Sequence, residues 1–165
     1  MDNDLRIKII ERFDSYYSGI NNKGAFLLAF NTFLLGAFIV GYKDLVDIVG
    51  CKCILVFNLM IGILMLCSII SMIYTIISMI PYLDSKANDD KKSVWFFNDI
   101  ATDDKKVFFE RIDNSKEEET TADLNNQIFE LSQGLRRKHQ FVKIALIFNL
   151  VEIILLIPII VLILF

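Results

Sequence analysis

The chain has little of what catalysis or metal binding needs. It contains one histidine, His139, and three cysteines, Cys51, Cys53 and Cys67. The Cys51-x-Cys53 pair has neither a second pair nor a neighbouring histidine, so it falls short of the spaced four-ligand sets of structural zinc, and no metal is expected. P-loop, G-x-S-x-G, H-E-x-x-H and Asp-rich lipid-transferase motifs are all missing. The acidic pairs Asp89-Asp90 and Asp103-Asp104 are adjacent in sequence, where side chains diverge, and read as solvated loop charges. No catalytic residue and no cofactor is expected, and the enzyme class is set aside. No internal repeat or low-complexity linker occurs. No cleavable secretory signal is expected either, because the start is acidic (Met-Asp-Asn-Asp) and about twenty polar or amphipathic residues precede the first apolar run.

Long hydrophobic runs are abundant. Hydrophobic residues make up 55% of the chain, while the charged ones are crowded into 1–23 and 84–143. Residues 24–42, about 19 in number, extend roughly 28 Å as a helix, close to the thickness of a bilayer core of about 30 Å. Residues 54–83 would extend about 45 Å, so this run tilts or projects past the headgroups before Pro81 and Asp84-Ser85-Lys86 stop it. Residues 141–165 carry Lys143 near their start and only one further charge, Glu152. The expected fold is therefore an all-α membrane protein with three transmembrane helices. It is organised as an amphipathic cytosolic helix (1–23), span one (24–42), a short extracytoplasmic loop (43–53), a long span two (54–83), a small helical cytosolic insertion (84–140) and span three (141–165).

Orientation follows from the basic residues near span ends. Arg6, Lys8, Arg12 and Lys23 precede span one, Lys43 and Lys52 follow it, and Arg136-Arg137-Lys138 with Lys143 stand at the mouth of span three. This places the N-terminus and insertion in the cytosol and the C-terminus outside. Cys51 and Cys53 would then face the oxidising side, as free thiols in a turn or in a disulfide between protomers. The basic cluster can meet anionic headgroups or a phosphate.

Leu5, Ile9, Phe13, Tyr16 or Tyr17, and Ile20 recur at helical spacing. Leu124, Ile128, Leu131 and Leu135 repeat the pattern, with Thr120-Thr-Ala-Asp123 reading as a capping box at the helix start. Gly134 costs only about 1 kcal/mol in a helix interior, so this helix is expected to continue into span three. The aromatic clusters Val94-Trp95-Phe96-Phe97 and Val107-Phe108-Phe109 with Ile112 are expected to close a small core, or to place Trp95 in the interfacial belt. Lys116-Glu-Glu-Glu119 with Asn114-Ser115 reads as a solvated loop.

Within the spans, Glu152 lies near mid-bilayer with Asn149 three residues earlier on the same face. Asn31 in span one and Asn58, Ser68, Ser71, Thr75 and Ser78 in span two offer polar partners. Asn31, Asn58, Asn149 and Glu152 form a polar seam that is either helix-to-helix glue or the lining of a leak assembled from several protomers. Self-association is expected, since three helices are too few to enclose a conduit.

Three motifs carry a resemblance. They are Asn21-Asn22-Lys23-Gly24-Ala25-Phe26-Leu27-Leu28-Ala29-Phe30-Asn31 at the entry to span one; Pro81 followed by Val94-Trp95-Phe96-Phe97-Asn98-Asp99-Ile100; and Asp123-Leu124-x-x-Gln127-Ile128-x-x-Leu131-Ser132-x-x-Leu135-x-x-Lys138 leading into span three. In order and spacing they resemble the transmembrane effectors of bacterial Pycsar anti-phage systems. The resemblance implies a multi-pass protein of the bacterial inner membrane that senses a cyclic pyrimidine mononucleotide (cUMP or cCMP) from a companion cyclase. It then impairs the membrane, causing growth arrest or abortive infection. The implied partners are lipid, the nucleotide and further copies of the chain, with no nucleic-acid polymer. Such a ligand needs basic or backbone donors for its phosphate and an aromatic face for its base. Arg136, Arg137 and Lys138, with Trp95 or Phe97, are the candidates. The alternatives are an accessory membrane subunit that docks a protein, and an ungated holin-like toxin.

Overall fold

A computed structural model describes residues 3–50, 53–81 and 92–164. The described residues form five helices: α1 (Asn3–Val49), α2 (Ile54–Met79), α3 (Phe97–Ala101), α4 (Lys105–Asn114) and α5 (Glu117–Leu164). Three of them, α1, α2 and α5, hold windows with mean hydropathy of 2.0, 2.7 and 3.0, long and apolar enough to cross a membrane. The all-helical, three-span expectation with a helical insertion between spans two and three is met.

The boundaries differ from the sequence reading where packing outweighs polarity. The amphipathic helix and span one are one helix of 47 residues that continues beyond Tyr42. Leu45, Val46 and Val49 pack against the apolar core, which keeps 43–49 helical where a loop was expected. The helix ends at Gly50, whose φ of 67° lies in the left-handed region that glycine adopts without a Cβ clash. Next, α2 stops at Met79, short of Leu83, and Ile80 is extended (φ −57°, ψ 129°), as steric conflict with a following proline requires. Cys51, Leu83, Asp84-Ser85-Lys86 and Asp89-Asp90 lie outside the described residues.

α5 does run unbroken from the insertion into the third apolar stretch, as expected, but it begins at Glu117. Thr120 is therefore no N-cap; its hydroxyl donates back to the Lys116 carbonyl at 3.2 Å, inside the first turns. Asp123 does not close a capping box either. Its carboxylate turns outward to accept from Ser93 Oγ and the Val94 N–H, both at 2.9 Å.

The chain divides into two compact units, 1–18 with 81–137 and 19–80 with 138–165. In the first, the head of α1 lies parallel to the start of α5. Arg6 Nε donates to Asn125 Oδ1 at 2.9 Å, Thr121 Oγ1 to Asn3 Oδ1 at 3.1 Å, and Tyr17 OH to the Leu131 carbonyl at 2.9 Å. Leu124 and Leu135 are buried there. The aromatic clusters contribute less to this core than expected: Trp95, Phe97, Val107, Phe109 and Ile112 are all exposed, and α4 has no buried residue.

In the second unit α2 runs antiparallel to both α1 and α5. One end of the bundle has an apolar core of Leu34, Phe38, Phe57, Ile61, Leu64 and Ile159. Toward the other end α1 and α2 close up at Gly24, where an added Cβ would lie 3.0 Å from Met79 Sδ and 3.4 Å from Thr75 Cγ2. Apolar side chains such as Phe26, Phe33, Val40 and Leu55 cover the outer face.

Candidate functional site

Two places combine geometry with chemistry, one in each unit. The first is a cavity of about 550 Å³ walled by the segment after α2, by α4 and by the first turns of α5. Its size is that of a small-molecule site. Asp104 caps α4 by accepting from the Lys106 N–H at 2.9 Å, which fixes the start of the helix that carries Arg111. Arg111 donates to the Lys92 carbonyl at 3.1 Å and pairs with Asp103, while Lys92 Nζ donates to Asp103 Oδ1 at 3.0 Å. Far from being loose loop charges, Asp103 and Asp104 anchor the cationic wall and cap the helix behind it.

Ser93 is the hub of the opposite wall. Its hydroxyl donates to Asp123 and accepts from the N–H groups of Trp95 and Phe96, both at 3.0 Å, and from Gln127 Nε2 at 3.3 Å. Its own N–H donates to buried Asp99 at 2.9 Å. Asn114 and Asn126 add amides to the lining, and Glu119 and Asp123 add carboxylates. Asn114 and Ser115, read from sequence as solvated loop, are wall residues. Lys92, Arg111 and Asn126 were not singled out by sequence. No motif links positions so far apart; the one available signal was the isolated arginine of the 92–116 stretch.

The ligand residues expected from sequence are scattered relative to this cavity. Trp95 adjoins Val94 of its wall and is 47% exposed, and Phe97 is 60% exposed and in tilted contact with Phe96 at 5.2 Å. Arg136 and Arg137 are exposed and follow Gln127, the residue bound to Ser93, by nine and ten positions, about 14 Å along α5. Lys138 belongs to the other unit, where it is buried and donates to the carbonyls of Ser78 at 2.6 Å and Ile80 at 2.8 Å. Burial holds its ammonium below the ordinary lysine range. It serves α2's carbonyl end, freed by Pro81.

The second place is the polar interior of the bundle. Asn31 Nδ2 donates to Ser71 Oγ at 3.2 Å, Ser68 Oγ donates to Asn31 Oδ1 at 3.1 Å, and Ser71 Oγ donates to the Ala145 carbonyl at 3.1 Å. Asn149 Nδ2 donates to Ser71 and to the Ala145 carbonyl. Glu152 is fully buried, and neither carboxyl oxygen makes a hydrogen bond within geometric limits. Ser68 and Cys67 are near enough to act on it, but the Ser68 hydroxyl is committed to Asn31. Three of the four expected seam residues thus line one interior. Asn58 does not: it is exposed, and its Oδ1 accepts from Tyr42 OH at 3.0 Å.

Spanning helices around a polar interior, joined to a helical insertion with its own cavity, define a multi-pass membrane protein with a water-facing module. The Pycsar effector protein domain, PycTM, matches residues 6–165, and the chain belongs to that family. It is a membrane effector of an anti-phage system, in a family of effectors rather than of catalytic domains. No curated protein and no solved structure shows significant similarity to it.

Proposed function

We propose that the chain is a nucleotide-gated effector of the bacterial inner membrane, with the N-terminus and insertion in the cytosol and the C-terminus outside. A cyclic pyrimidine mononucleotide, cUMP or cCMP, made by a companion cyclase, occupies the cavity of the insertion. Binding promotes assembly of protomers and impairs the membrane, which arrests growth. The observation that carries this reading is the cavity itself. Lys92 and Arg111 offer cations for one phosphate, and Asn114 and Asn126 offer paired donors and acceptors for a pyrimidine edge; Trp95, outside the lining but next to its Val94, is the aromatic assigned to stacking. Arg136 and Arg137 are assigned to anionic headgroups.

Coupling in this reading runs along α5, one helix that carries both a cavity wall and Glu152. A Gly-Gly-Pro insertion after Phe141 leaves nucleotide affinity intact and abolishes depolarisation. Calorimetry on detergent-solubilised protein tests the binding step. One of cUMP and cCMP saturates a site; Arg111→Ala weakens it about tenfold or more, as loss of a charge-assisted hydrogen bond implies, and Asn126→Ala weakens it without touching the ion pair. The double variant Arg136→Ala with Arg137→Ala binds as wild type. Absence of saturable binding by either nucleotide overturns the reading in favour of an accessory subunit. Toxicity on expression without any cyclase overturns it in favour of an ungated toxin.

A further inference from the structure

The interior of the bundle changes character along its length, and Glu152 stands at the change. On α2, Ser68, Ser71, Thr75 and Ser78 recur every three or four residues, so they form a row on one helix face, and all four are fully buried. The row ends at Lys138, which binds the Ser78 and Ile80 carbonyls. Beyond Glu152 the interior is an apolar layer built on Phe57, Ile61 and Leu64. Such a packed apolar layer excludes water and blocks ions.

A carboxylate fully buried without a hydrogen bond or cationic partner is not tolerated in a membrane interior, so the side chain takes up a proton or another cation. Glu152 has no third acidic, histidine or cysteine neighbour with which to hold a metal among the described residues. Cys67 on α2 is the titratable group beside it; α1 meets the cluster with the neutral Asn31, and Lys138 lies fourteen residues earlier on α5, about 21 Å along the axis. The proton is the occupant that needs no further ligand.

We propose that Glu152 is a proton-binding site, reached from the Lys138 end along the buried hydroxyl row and closed on the other side by the apolar layer. A proton entering as hydronium leaves water behind and forms the Glu152 carboxyl O–H. When the layer is wetted, that bond breaks and the proton passes to water beyond it. Conduction on activation rests on the reading of the chain as a membrane-impairing effector; the binding site does not.

Full-length protein in phosphatidylethanolamine–phosphatidylglycerol vesicles tests the site with dicyclohexylcarbodiimide, an apolar reagent that adds to protonated carboxyls. Peptide mass spectrometry finds the adduct on Glu152 and not in Glu152→Gln. Alkaline buffer on the Lys138 face slows the labelling, and alkaline buffer on the opposite face does not. No adduct on Glu152, or labelling indifferent to both faces, overturns the proposal. Ile61→Thr, which carries the hydroxyl row into the layer, raises proton entry into dye-loaded vesicles several-fold without nucleotide. The double variant Ile61→Thr with Glu152→Gln does not; equal leakage from the double variant overturns Glu152 as the relay. If wild-type vesicles stay proton-tight with cUMP and with cCMP while the labelling and Ile61→Thr results hold, the site stands and the nucleotide reading fails.

Discussion

In the bundle of α1, α2 and α5, Ser68, Ser71, Thr75, Ser78 and Glu152 have no exposed surface, whereas Phe33 and Val40 are 75% and 85% exposed. In the insertion unit Lys105, Lys106, Glu110 and Asp113 of α4 face outward, and the core is reduced to residues such as Leu124 and Leu135. The same polar groups do different work in the two settings. Against lipid an outward apolar side chain is the neutral choice, and polar groups turn inward because only another helix can satisfy them. In the insertion, polar groups bind backbone across short segments and shape a cavity, as Ser93 and Asp123 do. The bundle therefore derives its specificity from a few buried hydrogen bonds, and the insertion derives its shape from side-chain-to-backbone anchors.

The largest effect that sharpens this contrast is expected in the bundle's apolar layer. Phe57 is fully buried, and Phe57→Ala should lower stability by about 3 kcal/mol through the cavity it leaves. The outward Phe33→Ala should change stability by less than about 0.5 kcal/mol. Thermal unfolding of detergent-solubilised protein measures both, and similar losses would remove the inside-out description.

Next comes the insertion. Asp123→Ala leaves Ser93 Oγ and the Val94 N–H without their acceptor, a local loss of about 2 kcal/mol. Hydrogen exchange should quicken at Val94 and its neighbours while α2 in the bundle stays protected. Acceleration throughout α2 would mean that the units do not open separately.

Close approach at Gly24 gives a third contrast. Gly24→Leu must displace Met79 and Thr75 and should cost about 2 kcal/mol by overpacking. Gly36→Ala and Gly62→Ala meet nothing within 4 Å and should be neutral or slightly stabilising. Thermal unfolding ranks the three, and a tolerated Gly24→Leu would break the assigned packing of α1 on α2.

These contrasts were unevenly legible in the sequence. Apolar run length gave the three spans, because lipid imposes one simple constraint on composition. Asn31, Asn149 and Glu152 could be picked out for the same reason: polar groups stand out in a run of Leu and Ile. The cavity was hidden, since Lys92, Arg111 and Asn126 meet only through tertiary structure and polar residues are common in any insertion. Asp123 was visible but given the wrong partner, for a capping-box spacing does not show whether the helix has already begun at Glu117. The bonds of Lys138 to α2 were equally hidden, because nothing in its neighbours reveals that Pro81 frees carbonyls on α2 for it to bind.

Asn58 gives the smallest and most discriminating effect. It was grouped with Asn31 by residue type and depth, yet only Asn31 is enclosed, giving and receiving hydrogen bonds with Ser71 and Ser68. Asn58 accepts a hydrogen bond from Tyr42 on the outer surface. Interhelical hydrogen bonds in membranes average about 0.6 kcal/mol, since a separated helix finds other partners, and an exposed one falls at or below that value. Asn58→Leu should therefore shift stability by at most about 0.6 kcal/mol, and it should leave any membrane leak unchanged. Asn31→Leu strands the Ser68 hydroxyl and removes a donor to Ser71, so its cost should be at least twice as large. Thermal unfolding of the two variants, with Tyr42→Phe as a check on the outer pair, measures the difference. If Asn58→Leu proves as costly as Asn31→Leu, the outer face at Asn58 is covered in the membrane, and contact with a second copy of the chain becomes the first explanation to test by crosslinking from that position.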